Sequence, residues 1–104
     1  MSKIKEKFKE LKSKKESALI SYIMAGYPSE RATLAAVRGL IQGGTDIIEL
    51  GFPFSDPIAD GPGIQASYLR AIEAGQNLIK TVELVKEFRN KNNDTPVVLM
   101  GYYN

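Results

Sequence analysis

The 104-residue chain contains no cysteine, no histidine and no tryptophan. Without cysteine it has no disulfide bond and no thiolate nucleophile. Because histidine is also missing, the chain cannot supply the usual zinc ligands or the imidazole base of a Ser-His or Cys-His pair. No apolar run approaches the roughly 18 residues that a membrane-spanning helix needs. Any acid–base chemistry must therefore come from Asp, Glu, Tyr or Lys side chains.

Basic residues are in excess only at the amino terminus. Residues 1–16 carry a net charge of +4, whereas the rest of the chain carries −2. A nucleic-acid-binding domain usually places Lys and Arg along one face of the fold itself. The charge distribution therefore argues against a nucleic-acid partner for the body of the protein. We expect no membrane partner either, since no apolar run is long enough to span one.

The amino-terminal segment has the pattern of an amphipathic helix over residues 1–13. Ile4, Phe8 and Leu11 follow one another at spacings of four and three residues, with charged residues between them. A transit peptide, a membrane-surface helix and a nucleic-acid arm are alternative interpretations, but a transit peptide is rich in Arg and poor in acids, unlike this segment. We expect the helix to pack all three apolar side chains onto the body.

The body alternates strand and helix patterns. Short apolar runs predict strands at 18–24, 46–50 and 97–100, and amphipathic segments predict helices at 30–42, 64–74 and 78–90. Strands that are apolar on both faces and separated by helices indicate a parallel sheet with right-handed crossovers. The sequence therefore predicts one small α/β domain, with at least one exposed sheet edge.

Glu49 is an unusual residue for a buried strand. It lies near the carboxyl end of the second predicted strand, where the active sites of parallel α/β folds form. Burial disfavours the charged form of a carboxylate, so a Glu in this place is suited to hold and transfer a proton. The alternative is a structural ion pair with a neighbouring Lys or Arg.

A proline-rich loop follows the same strand and brings Asp56 and Asp60 to its end. Two carboxylates at one strand end suit a reaction that moves a proton and stabilises a developing positive charge. The alternative is turn chemistry, since Asp before Pro or Gly often bonds its own backbone. No phosphate-binding glycine motif of either nucleotide-binding type is present.

Aromatic residues cluster near the predicted strand ends, where they would form walls for a flat aromatic substrate or simply part of the core. They are Tyr22, Phe52, Phe54, Tyr102 and Tyr103.

The run E-L-G-F-P-F-S-D-P-I-A-D-G-P-G-I-Q, from Glu49 to Gln65, resembles the signature of the tryptophan synthase alpha chain family. Residues 22–28, 43–48, 70–75 and 99–104 are similar to the family as well, so that the resemblance covers nearly the whole chain. Gly63 departs from the pattern, because the family more often has Thr or Val there.

The resemblance implies a TIM (β/α)8 barrel. Eight βα units usually need about 250 residues, so we interpret residues 1–104 as a single partial domain. It would be the amino-terminal part of a barrel, with about three βα units behind the helix at 1–13. The implied activity is retro-aldol cleavage of indole-3-glycerol phosphate to indole and glyceraldehyde 3-phosphate, a carbon–carbon lyase step of tryptophan biosynthesis.

The resemblance also implies roles for individual residues. Glu49 would protonate indole C3 and take the proton from the glycerol hydroxyl, and Asp60 would accept a hydrogen bond from the indole N–H. Tyr22, Met100 and Tyr102 match positions that line the substrate pocket.

Pro53 and Asp56 match the part of the family that contacts the beta chain, with which the alpha chain forms a cytoplasmic α2β2 heterotetramer. Pyridoxal phosphate would belong to the beta chain. No cofactor and no metal ion is expected in this chain.

Two other functions remain open at this point. A catalytically inactive barrel fragment would associate with itself or complement the missing part through its open sheet edges. A different barrel enzyme acting on phosphorylated sugars, such as an epimerase or isomerase, is disfavoured by the absence of histidine and by the proline-rich loop. The phosphate site that usually follows strands 7 and 8 lies outside these residues, which leaves the activity of the chain alone in doubt.

Overall fold

The computed structural model describes residues 2–53 and 60–101. Within these residues the chain alternates helices and strands in the predicted order, and the predicted boundaries are correct to within two residues. The elements are α1 (Lys3–Lys14), β1 (Ile20–Met24), α2 (Glu30–Gln42), β2 (Ile47–Gly51), α3 (Pro62–Glu73), α4 (Leu78–Arg89) and β3 (Val97–Met100).

The helices begin at residues that satisfy their first backbone N–H groups. The Ser29 hydroxyl accepts a hydrogen bond from the backbone N–H of Ala32 at 3.1 Å, and the Asn77 side chain accepts one from Lys80 at 2.9 Å. Helix α3 begins instead with Pro62, whose fixed φ suits the first helical position and whose missing N–H costs nothing there. The starts of α2, α3 and α4 are thus encoded locally.

The three strands form a parallel sheet in the order β1-β2-β3, as predicted. Tyr22, Glu49 and Val98 are paired in register across the sheet. Because side chains alternate between the two faces of a strand, these three lie on one face, which we call the inner face. The intervening residues, Ile48 and Leu50 among them, lie on the outer face.

The main core covers the outer face. Ile48 and Leu50 of β2 are buried with Val37 of α2 and with Leu84 and Phe88 of α4. Each such side chain, when fully buried, contributes about 1.5–3 kcal/mol of transfer free energy. This packing fixes α2 and α4 on one side of the sheet and leaves the inner face to Glu49 and its neighbours.

Of the three strands in the described residues, β2 alone is buried over most of its length. Leu19, just before β1, Ile20, at its start, and Val98 and Leu99, in β3, are 40–54% exposed. β1 and β3 are partly exposed because these strands flank the sheet, whereas β2, which carries Glu49, is largely buried as expected. The predicted exposed edge is confirmed.

Helix α1 packs on the body through one of its three apolar side chains. Leu11 is buried, whereas Ile4 and Phe8 are 39% and 47% exposed, so the expectation that all three pack is wrong for these two. Along the earlier turns of the helix it is charged side chains, and not Ile4 or Phe8, that line a cavity with Asp94 of the body; they are Lys3, Glu6, Lys7 and Glu10. No helix within residues 2–53 and 60–101 has the length and apolarity needed to cross a membrane.

Candidate active site

The candidate residues lie on the inner face towards the carboxyl ends of the strands. Tyr22, Glu49 and Val98 form one row, and Met24, Gly51 and Met100 form the next row, at the strand ends. We call the region formed by these strand ends and the residues that follow them the strand mouth. Adjacent strands lie about 4.8 Å apart, so Tyr22 and Glu49 are direct neighbours.

Glu49 lies on the central strand, β2, and is half-buried. Within the described part of the chain its side chain makes no hydrogen bond and no ion pair. The alternative of a structural ion pair with Lys or Arg therefore has no support in these residues. A carboxyl group on the inner face without a protein partner remains available to a bound molecule, as the acid–base interpretation requires.

Gly51 makes room for the side chain of Tyr22. A Cβ atom at position 51 would overlap the Tyr22 hydroxyl and would lie 2.9 Å from its Cζ atom. The missing side chain lets Tyr22 lean along the sheet from its own row towards the strand mouth. Tyr22, predicted to line a substrate pocket, thus lies beside the position of Glu49 and reaches the next row.

Asp60 lies just before helix α3 and is half-buried. The Gln65 side-chain amide donates a hydrogen bond to the Asp60 carbonyl at 2.7 Å, and the Gln65 backbone N–H donates to the Gly61 carbonyl at 2.9 Å. These bonds fix the backbone of Asp60 on the first turn of α3. The helix dipole favours a carboxylate in this place.

Tyr68, which the sequence analysis did not single out, lies at the same mouth. It is buried in a cluster with Met24 and Ala71, against Tyr22 and Ile64. Burial raises the pKa of its hydroxyl well above the usual value, and the electrostatic influence of the nearby Tyr22 and Asp60 side chains raises it further. The spacing of Ile64, Tyr68 and Ala71 is that of a buried helical stripe, a signal that was present in the sequence.

The remaining predicted residues are distributed as follows. Met100 is half-buried, with its Sδ atom 4.0 Å from the Tyr68 hydroxyl, and Pro53 is half-buried just after β2. Asp56 and Tyr102 lie outside the described residues, as do Phe54 and Tyr103. The structure thus brings Tyr22, Glu49, Asp60 and Met100 to one end of the sheet and leaves the roles of Asp56 and Tyr102 as predictions.

A concave region lies between α2 and α4, with a volume of about 600 Å³. Its lining contains five charged side chains, Glu30, Arg31, Arg38, Glu83 and Glu87. The two helices that form it pack on the outer face, away from Glu49. Such a charged lining does not suit a flat apolar ring. Among the described residues no three carboxylates come close enough together to hold a metal ion.

Comparisons with known proteins agree with this arrangement. The family model described as "Tryptophan synthase alpha chain" matches residues 8–104. A solved protein from Aquifex aeolicus VF5 is 47% identical, with a TM-score of 0.94 over 100% of this chain and 41% of its own. Tryptophan synthase subunit alpha from Legionella pneumophila is 38% identical, with a TM-score of 0.96 over 98% of this chain and 39% of its own.

A chain of the tryptophan synthase complex from Pyrococcus furiosus is 48% identical, with a TM-score of 0.76 over 84% of this chain and 35% of its own. The present chain thus spans about two fifths of the length of these relatives. Its parallel sheet and covering helices are part of a TIM barrel, as predicted. The family match over residues 8–104, together with these similarities, places the chain in the tryptophan synthase alpha chain family.

Proposed function

We propose that the full-length protein carrying these residues is a lyase that cleaves indole-3-glycerol phosphate to indole and glyceraldehyde 3-phosphate. The observation that carries this proposal is the carboxyl group of Glu49, which lies on the inner face beside Tyr22 without a protein partner in the described residues. Asp60 lies at the same end of the sheet, just before α3.

In the proposed reaction Glu49 transfers protons in both directions. Its carboxyl group first donates a proton to indole C3, which gives a positively charged ring. The resulting carboxylate then takes the proton of the hydroxyl on the adjacent glycerol carbon. The bond between that carbon and C3 breaks, its electron pair returns to the ring, and the oxygen becomes the aldehyde oxygen of glyceraldehyde 3-phosphate. One group at one place therefore suffices for both transfers.

Asp60 stabilises the charge that forms in between. When C3 is protonated, positive charge develops at the ring nitrogen, and a carboxylate that accepts a hydrogen bond from the N–H lowers the energy of this state. The apolar surfaces of Tyr22 and Met100 supply walls for the ring. Part of the substrate-binding energy comes from the phosphate-binding site, which in TIM barrels frequently lies in the loops after strands 7 and 8.

The proposed partner is a tryptophan synthase beta chain in the cytoplasm, in an α2β2 assembly. Support comes from the similarity to a chain of the Pyrococcus furiosus complex and from the position of Pro53 at the start of the loop after β2. Pyridoxal phosphate would be held by the beta chain, and the chemistry assigned to Glu49 and Asp60 needs no cofactor. Co-elution of the two full-length chains at a 1:1 ratio tests the pairing, and separate elution would contradict it.

The test of the reaction is Glu49→Gln in the full-length protein. The amide keeps the shape of the side chain but cannot exchange the proton, and general acid–base catalysis contributes about 10²–10⁴-fold. We expect indole release from indole-3-glycerol phosphate to fall by at least about 100-fold. The matched control is Glu73→Gln, which makes the same change at an exposed position in the last turn of α3 and should retain the full rate.

Circular dichroism and the melting temperature show whether each variant is folded. A folded Glu49→Gln protein that releases indole at the normal rate would remove Glu49 from its role. Full-length wild-type protein that releases no indole, with and without a beta chain, would refute the proposed reaction.

A second function applies to the 104-residue chain by itself, because both flanking strands expose apolar residues at or beside the sheet edges. We expect the isolated chain to be inactive and to associate through these edges, since unpaired strands recruit other strands. Sedimentation velocity measures its mass, and adding the rest of the barrel as a separate chain tests complementation. A monodisperse monomer that does not complement would contradict this expectation.

A further inference from the structure

Phe52 is one of the aromatic residues that the sequence places near a strand end, and the proposed reaction does not use it. It follows β2 directly and is half-buried. Its backbone N–H donates a hydrogen bond to the carbonyl of Met100, the last residue of β3, at 3.1 Å. Gly51 and Met100 form the last row in which β2 and β3 are paired. Phe52 therefore continues the contact between the two strands one step into the strand mouth.

The ring of Phe52 lies against Gly101, the residue that follows β3. A Cβ atom at position 101 would overlap the Cζ atom of the ring and would lie 2.5 Å from each of its Cε atoms. Carbon atoms in favourable contact are about 3.5–4.0 Å apart, so the ring occupies space that any side chain would need. The backbone of Gly101 is outside the left-handed region that favours glycine. The structural reason for glycine at position 101 is therefore the room that it leaves for the ring.

Phe52 thus contacts two consecutive residues at the end of β3, Met100 through its N–H and Gly101 through its ring. The proposed reaction uses Met100 as a wall for the indole ring. A methionine side chain is long and flexible, so the place of its thioether depends on the backbone that carries it. In the structure the Sδ atom of Met100 lies 4.0 Å from the Tyr68 hydroxyl, across the strand mouth. A shift of the backbone at Gly101 would move this side chain as well.

We propose that Phe52 is a positioning residue of the active site, whose ring, packed on Gly101, fixes the end of β3 and with it the place of Met100 in the wall of the substrate pocket. This inference rests on the proposed function, because it gives Phe52 a purpose only if Met100 contacts the indole ring. Phe52 itself is not assigned a contact with the substrate. Since a pocket wall serves binding more than proton transfer, its displacement should affect KM more than kcat.

The first test is Gly101→Ala in the full-length protein, which places a Cβ atom where the ring lies. We expect KM for indole-3-glycerol phosphate to rise by about five- to tenfold. The value of kcat should change by less than about threefold, because Glu49, which transfers the protons, stays in place on β2. The matched control is Gly63→Ala, since a Cβ at position 63 meets no atom of the described residues within 4 Å. This control should keep the normal KM.

The second test removes the tip of the ring. Phe52→Leu lacks the Cε and Cζ atoms that meet position 101, so the end of β3 loses this support and KM should rise by about three- to tenfold. The matched control is Phe88→Leu, which makes the same change in the core on the outer face. Its melting temperature should fall, but its KM should stay within about twofold of wild type, because a loss of stability alone does not change the pocket.

The double variant, Phe52→Leu with Gly101→Ala, tests whether the two positions act through each other. The alanine Cβ partly fills the space that the ring tip leaves, so KM should return to within about twofold of wild type. KM increases that multiply in the double variant would overturn the inference. So would folded single variants that melt at a lower temperature and keep the normal KM. If Gly101→Ala does not fold, the KM of Phe52→Leu decides by itself.

The same measurements distinguish this inference from the proposed function. If Glu49→Gln stops indole release and Phe52→Leu keeps the normal KM, only the positioning role of Phe52 is wrong. If the full-length wild-type protein releases no indole, the proposed function is wrong, and the role of Phe52 is wrong with it.

Discussion

Replacing Gly51 by alanine tests whether the contact between β2 and Tyr22 organises the strand mouth. The new Cβ atom would overlap the Tyr22 hydroxyl and would lie 2.9 Å and 3.1 Å from the Cζ and Cε2 atoms of the ring. Carbon atoms in favourable contact are about 3.5–4.0 Å apart. The strand backbone at this position accepts alanine, so any loss of stability in the Gly51→Ala variant comes from this overlap and not from φ strain.

The expected loss follows from the cost of overpacking. Inserting a methyl group into a packed site costs about 1–3 kcal/mol, and each kcal/mol lowers the melting temperature of a protein of this family's size by about 2–4 °C. We expect the full-length Gly51→Ala protein to melt about 2–12 °C below wild type. Indole release should fall as well, because Tyr22 must leave its place beside Glu49.

The assay is thermal unfolding followed by circular dichroism, together with the rate of indole release. The matched control is Gly63→Ala, since a Cβ at Gly63 meets no atom within 4 Å and alanine favours the helix by up to about 1 kcal/mol. In a Tyr22→Leu background the overlap with the tyrosine ring is gone, so the Gly51→Ala substitution should lower the free energy of unfolding by less than about 0.5 kcal/mol. An unchanged melting temperature, or the same loss in both backgrounds, would refute the reasoning.

Two further predictions concern local interactions. Ser29→Ala removes the hydroxyl that caps α2 and should lower the free energy of unfolding by about 1 kcal/mol in urea titrations. Ser29→Asp provides another hydrogen-bond acceptor and should recover most of this lost free energy. The pKa of Tyr68 is raised above its ordinary value of 10.0, mainly by burial, so the unfolded chain loses this proton first and stability falls as pH rises beyond 10. Between about pH 9.5 and 11, the Tyr68→Phe protein should therefore lose less stability than wild type in denaturant titrations. An equal loss in both proteins would contradict the burial of the Tyr68 hydroxyl.

Much of the fold was predictable from local patterns. The helix at 30–42 was predicted with its observed bounds, because its apolar spacing and its cap at Ser29 both act within one or two turns of the chain. The parallel strand order followed from the alternation of strands and helices, since parallel neighbours need a crossover between them. Glu49 was recognisable because a carboxylate in an apolar strand is rare.

Other features were not predictable in this way. Ile4 and Phe8 have the spacing of a buried stripe, yet 39% and 47% of their surfaces stay exposed in the described residues. An amphipathic pattern identifies the face that a helix would bury, but not the surface that meets it. Tyr68 shows the reverse case, because its burial was visible in the pattern and the contact of its hydroxyl with Met100 was not.

The sequence by itself determined the helices and strands, their parallel order, the family, and the two carboxylates at the strand ends. These properties depend on residues close together in the chain, where periodicity and a long signature carry the information. Only the tertiary structure decided that the Tyr68 hydroxyl lies 4.0 Å from the Met100 Sδ atom, and that Gly51 makes room for the Tyr22 ring. Such contacts join residues from separate elements, and they exist only once the strands have paired and α3 has packed on the inner face of the sheet.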